Sequence, residues 1–120
     1  MKILLADDSQ FMRTILKGIL DKLNLSAEYI EAGGGIQTVE LYLQHHPDLL
    51  LLDLIMPEKD GMDVLREISS QKGTGKIIIV SAIGQDKVME EAKALGADGF
   101  IVKPFDEKKV ADAIRTTVTP

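Results

Sequence analysis

Asp7, Asp8, Asp53, Ser81 and Lys103 are three carboxylates, a hydroxyl and an ammonium, a set able to do chemistry together if the fold collects them. Each stands just past a short apolar run: Ile3-Leu4-Leu5-Ala6 leads into Asp7-Asp8-Ser9, Leu49-Leu50-Leu51-Leu52 into Asp53, Ile77-Ile78-Ile79-Val80 into Ser81, and Phe100-Ile101-Val102 into Lys103. A carboxylate between Leu52 and Leu54 is costly to desolvate unless cations or donors meet it. Two carboxylates ~5 Å apart repel by about 3 kcal/mol at an effective dielectric of about 20, and three acids with one lysine stay two charges short of neutrality. A divalent oxygen-seeking cation restores the balance, and Mg2+ suits it because Mg2+ takes one or two carboxylates plus waters and phosphate oxygens. Asp7 and Asp8 are then ligands. With Asp53 attacking a phosphoryl donor, the metal, Lys103 and Ser81 would face the oxygens of the transferring group, and the product is an aspartyl phosphate.

The elements that must position these groups follow from apolar patterning. The run at 49–52 lacks alternation, as strands buried on both faces of a parallel sheet do, and 77–80 is another continuous run; the short runs at 3–6 and 100–102 are strands as well, whereas Ala27-Glu28-Tyr29-Ile30-Glu31 alternates and suits a sheet edge. Helical spacing joins Phe11, Met12, Ile15, Leu16, Ile19, Leu20 and Leu23 after a Ser9 N-cap. Further helical patterns hold Ile36, Val39, Leu41, Tyr42 and Leu43, then Met62, Val64, Leu65 and Ile68, then Val88, Met89, Ala92 and Leu95, then Val110, Ala113 and Ile114. Gly33-Gly34-Gly35 reads as a turn, as does Asp60-Gly61 after Pro57. Strands alternating with helices call for an α/β fold with helices on both faces of a parallel sheet, whose carboxyl strand ends all gather along one edge. Ligands of such sheets bind at that edge where strand order reverses, which in the common order 2-1-3-4-5 lies between strands one and three, the bearers of the three aspartates.

Composition narrows the function classes. The chain has 120 residues, one domain's worth, with 45% hydrophobic and 28% charged residues and no low-complexity run. A net charge of −5 without a basic cluster argues against direct grip on nucleic acid. The absence of cysteine excludes disulfides and thiolate metal sites, and no apolar stretch is long enough to span a bilayer, so no membrane insertion and a cytoplasmic setting are expected.

The motifs Asp7-Asp8-Ser9, Asp53 with Met56-Pro57 and Asp60-Gly61, Ser81-Ala82, and Lys103-Pro104-Phe105 together resemble those of response-regulator receiver domains, of the CheY-like single-domain kind, across residues 1–120. The resemblance implies a flavodoxin-like sheet of order 2-1-3-4-5 and transfer of phosphate from a histidine kinase to Asp53. It implies Mg2+ bound by Asp8, Asp53 and the backbone carbonyl of Ile55, with Asp7 acting through water, and a cis Lys103-Pro104 peptide. Ser81 and Phe100 would be switch residues that alter the face of helix four, strand five and helix five for a downstream protein partner. Phe100 departs from the commoner tyrosine. Phe11-Met12-Arg13 and Ser81-Ala82-Ile83-Gly84-Gln85 look most similar to chemotaxis regulators, which suggests a monomeric switch reading out to a flagellar motor. Ile55 and Ile83 occupy the positions that flank the phosphoryl group in the family, and their apolar character implies slow self-dephosphorylation rather than enzymatic turnover.

Other readings fit less well. Gly33-Gly34-Gly35 has neither the Lys-Ser/Thr of a phosphate loop nor dinucleotide-binding spacing. An aspartate-nucleophile phosphatase resembles its relatives in a second aspartate two residues on, where this chain has Ile55. A receiver cut from a larger regulator is the main rival, although the short tail after Ile114 leaves no room for an output domain in this chain. His45 and His46 diverge on a helix and make a poor metal pair.

Overall fold

Continuous apolar strands need cover on both faces, and helices supply it. The computed structural model describes residues 1–118, in which β1 (Lys2–Ala6), α1 (Gln10–Asp21), β2 (Glu28–Ala32), α2 (Gly35–His45), β3 (Leu49–Leu52), α3 (Gly61–Ile68), β4 (Lys76–Ser81), α4 (Asp86–Ala94), β5 (Gly99–Val102) and α5 (Glu107–Val118) alternate strictly. A 3₁₀ turn at Ser69–Gln71 extends α3. All strand pairs are parallel in the order β2-β1-β3-β4-β5, so the alternating strand β2 is an edge, as its sequence suggests.

Side-chain parity divides the core into two layers. Leu4, Leu50, Leu52, Ile77 and Ile79 face Tyr42, Val64, Leu65, Ile68 and Ala92 of α2, α3 and α4. Ile3, Leu5, Leu49, Leu51, Ile78 and Val80 face Leu16, Leu20, Val110 and Ile114 of α1 and α5. Right-handed crossovers account for the division, because the connection β1–β2 runs opposite to the three that follow it. Ser9 caps α1 by accepting the Met12 amide at 3.2 Å, and Asp60 caps α3 by accepting the Asp63 amide at 2.9 Å. The Lys103-Pro104 peptide is cis, as the family resemblance implies.

Three helical faces differ from the apolar pattern. Phe11, placed by its spacing on the core side of α1, is 75% exposed, because it shares a helical stripe with the exposed Gly18 and Lys22, to one side of the stripe that buries Leu16, Ile19 and Leu20. In α2, Thr38 and Tyr42 turn inward while Ile36 and Leu43 stay exposed; the Thr38 hydroxyl is satisfied by the Gly34 carbonyl at 2.8 Å. In α4 Ala92 alone is fully buried, and Val88 and Met89 are half-buried.

Candidate functional site

The sheet register brings the strand ends together. Ala6 pairs with both Ala32 and Leu52, Leu52 with Ile79, and Ser81 with Val102, so the next residues Asp7 and Asp53 emerge side by side and Lys103 emerges at the same edge, across the end of β4. Backbone bonds continue past the strands: the Asp53 amide donates to the Ala6 carbonyl at 2.9 Å, and the Lys103 amide to the Ser81 carbonyl at 2.9 Å.

At this edge the Lys103 ammonium bridges two buried carboxylates, lying 2.8 Å from Asp7 Oδ2 and 2.9 Å from Asp53 Oδ2. Burial works against this ammonium most strongly, yet the hydrogen bonds with Asp7 and Asp53 and their charges together outweigh it and hold its pKa above the ordinary lysine value. The second oxygen of each acid is fixed by the chain itself: Asp7 Oδ1 accepts the Ser9 amide at 2.9 Å, and Asp53 Oδ1 accepts the Ile55 amide at 3.1 Å. Asp8 is exposed at the mouth, and one carboxylate oxygen from each of Asp7, Asp8 and Asp53 lies within 4.8 Å of the others. Such an oxygen-only set suits a hard divalent cation better than a soft metal.

The structure therefore gathers Asp7, Asp8, Asp53 and Lys103 into one cluster. Ser81 ends the neighbouring strand, is 2% exposed, and accepts the Ile83 amide at 3.3 Å. Phe100 stands farther off, mid-strand in β5, packed against the α2–α4 layer beside a groove of about 530 Å³ between β5 and α5. Ile55 is 57% exposed in the β3–α3 loop.

Three residues behind the cluster, Arg13, Lys17 and Glu31, have no role assigned by sequence. The Arg13 guanidinium donates to the Asp7 carbonyl and, at 2.9 Å, to Glu31 at the end of β2, while Lys17 donates to the other oxygen of Glu31 at 2.9 Å. Hydrogen bonds from Lys17, then Arg13, hold the Glu31 carboxyl below the usual range. The sequence signal is a cation one helical turn past the Ser9 cap, able to reach back over the strand end.

Comparison with known proteins agrees with this geometry. The family model for the response regulator receiver domain matches residues 3–115. The chemotaxis protein CheY of Halobacterium salinarum is 41% identical over 118 residues, covering 98% of this chain and 97% of that one. The CheY of Bacillus subtilis is 43% identical over 117 residues, with 98% and 97% covered. Among solved structures, the CheX-CheY-BeF3-Mg2+ complex from Borrelia burgdorferi contains a similar chain, with a TM-score of 0.92 at 29% identity over 99% of this chain and 90% of that chain. Among the described residues no helix is long and apolar enough to cross a membrane. The strand-end carboxylates bridged by a lysine and a match over nearly the whole chain lead to one conclusion: this chain belongs to the response regulator receiver domain family.

Proposed function

We propose that Asp53 is the phosphoacceptor of a two-component switch acting in chemotaxis, with a histidine kinase as donor. The observation that carries this reading is the Lys103 ammonium shared by two buried carboxylates beside the exposed Asp8. An Asp53 oxygen attacks phosphorus; the new P–O bond forms as the donor P–N bond breaks, and the electron pair leaves with the imidazole, which takes a proton from water. Asp8, Asp53 and the Ile55 carbonyl, with Asp7 through water, would hold Mg2+, which when bound would supply charge neutralisation for the transferring oxygens. Lys103 and the Ser81 hydroxyl supply further donors to those oxygens. No acid stands two residues beyond Asp53, where a phosphatase would need one; Ile55 is there. The output is carried by Ser81 and Phe100, whose rearrangement changes the α4–β5–α5 face for a protein partner such as a flagellar motor switch, with the chain acting as one monomeric receiver domain. Incubation with acetyl phosphate tests the central step: mass spectrometry should find one added phosphoryl group, on the Asp53 peptide, only with Mg2+. Label on another residue would overturn the assignment.

The lifetime of the phosphoryl group rests on Ile55 and Ile83, neither of which can hydrogen-bond a water. Hydrolysis therefore proceeds without a water positioned by these side chains, and positioned proton acceptors are typically worth about 10² or more in rate. Replacing both, Ile55→Asn with Ile83→Glu, should speed loss of phosphate about tenfold or more in the same Mg2+ buffer. Equal or slower loss refutes the role of these two side chains.

A further inference from the structure

We infer that Gly35 is a positioning residue for the loop that carries the phosphoacceptor, an inference that rests on the reading of Asp53 and Ile55 as part of the Mg2+ site. The loop between β3 and α3 is held at its base and at its apex. At the base the Gly61 amide donates to the Leu54 carbonyl at 2.8 Å, joining the two ends of the loop. At the apex, Pro57 to Lys59, it rests on the first turn of α2. The Gly35 amide donates to the Pro57 carbonyl at 3.3 Å, and the Lys59 amide donates to that same carbonyl at 2.8 Å, closing a tight turn through Glu58 at φ 72°. The first amides of a helix have no partner within it, so Pro57 completes the start of α2 while α2 fixes the loop.

The contact leaves no room for a side chain. A Cβ on Gly35 would stand 2.0 Å from the Lys59 carbonyl oxygen and 2.5 Å from the Lys59 Cβ, so backbone must move. The neighbouring glycines differ. At Gly33 an added Cβ meets only Arg13 Nη1 at 3.7 Å, an ordinary contact. At Gly34 the closest atom, at 2.5 Å, is the tip of the exposed Glu58 side chain, which can swing into water. Within the glycine triplet, then, Gly35 is the position where two stretches of backbone touch. Lys59 lies six residues after Asp53 and four after Ile55, in a loop whose closed base leaves few residues to absorb a shift at its apex. The Ile55 amide also holds Asp53 Oδ1, so movement of the loop reaches the acceptor carboxylate directly. Misplacement of a reacting group by about 1 Å can cost on the order of 10² in rate.

The test is titration calorimetry with MgCl2 on the parent and on Gly33→Ala, Gly34→Ala and Gly35→Ala, with thermal melts in Mg2+-free buffer and labelling by acetyl phosphate alongside. The expected result is Mg2+ affinity within about twofold of the parent for the first two variants and at least about tenfold weaker for Gly35→Ala, with labelling slowed in the same order. If Gly35→Ala fails to fold, Gly35→Ala with Lys59→Gly removes the nearby Cβ and frees the loop, and should show the same weakened Mg2+ binding. A Gly35→Ala protein, or that double variant, that melts lower but keeps the parent's affinity and labelling overturns the positioning role. A parent that neither binds Mg2+ nor labels at Asp53 overturns the Mg2+ reading and this inference with it, whereas a binding, labelling parent with an unchanged Gly35→Ala sinks the inference alone.

Discussion

Replacing Lys103 with methionine should destabilise the fold by about 3 kcal/mol in Mg2+-free buffer and slow phosphoryl uptake on the order of a hundredfold. The ammonium touches Asp7 and Asp53, whose side chains are 4% and 8% exposed, so its removal leaves two nearly dry carboxylates facing each other without a cation. Methionine has similar length and preserves packing, which isolates the charge. The uptake loss follows from the proposed role of Lys103 as a donor to the transferring oxygens. Lys103 also sets an alkaline limit. Its folded pKa lies above the ordinary 10.5, so its contribution is fully present below that value and is lost as pH rises through the raised one. Denaturant melts of the parent should therefore weaken above about pH 10.5, and part of that slope should vanish in the Lys103→Met protein. Equal stability of the two proteins at neutral pH would show that the ion pair contributes nothing.

Asp53→Asn should have the opposite sign for stability and abolish uptake. At an effective dielectric of about 20, attraction to Lys103 at 2.9 Å is about 6 kcal/mol, while repulsion from Asp7 and Asp8 at up to 4.8 Å is about 7 kcal/mol together. The difference, about 1 kcal/mol against the charge, adds to the cost of drying a residue only 6% exposed. Asparagine keeps an oxygen for Lys103 and for the Ile55 amide, so the variant should be about 1–2 kcal/mol more stable than the parent in chelator. Excess Mg2+ should reverse the order, since a ligand at a hundred times its Kd stabilises the parent by about 2.7 kcal/mol and the variant far less. A variant less stable than the parent in chelator, or one that still takes up phosphate, would contradict the repulsion and acceptor arguments respectively.

Local chemistry made much of this site legible. Strands covered on both faces must be apolar, so β1, β3 and β4 stand out as short runs; β5, the other edge of the sheet, reads as one too although Val102 is exposed, and the first polar residue after each run marks the sheet edge where the cluster gathers. Asp53, Ser81 and Lys103 are found that way without any contact being known, and the edge position of β2 follows from its alternation. The charge count of the cluster, and hence its need for a cation, is a property of residue types alone.

Only the tertiary structure decided which of those groups touch. Lys103 could have paired with Asp8; it bridges Asp7 and Asp53 instead, its long side chain reaching from β5 across the end of β4 to the adjacent ends of β1 and β3, while Asp8 is exposed. The apolar pattern did not show that Phe11 is exposed, since it marks a broad side of the helix and not the narrower stripe of Leu16, Ile19 and Leu20 that the sheet covers, and Phe11 lies on the neighbouring stripe with the exposed Gly18 and Lys22. Nor could it favour Thr38 over Ile36 as an inward residue of α2, because a threonine whose hydroxyl is satisfied by a carbonyl one turn back packs as well as an aliphatic side chain. The Arg13 link to Asp7 and the seat that Gly35 offers Lys59 depend on separate elements meeting in space. A glycine triplet signals a turn by its backbone freedom, and the reason that one of the three tolerates no side chain belongs to a loop 24 residues away.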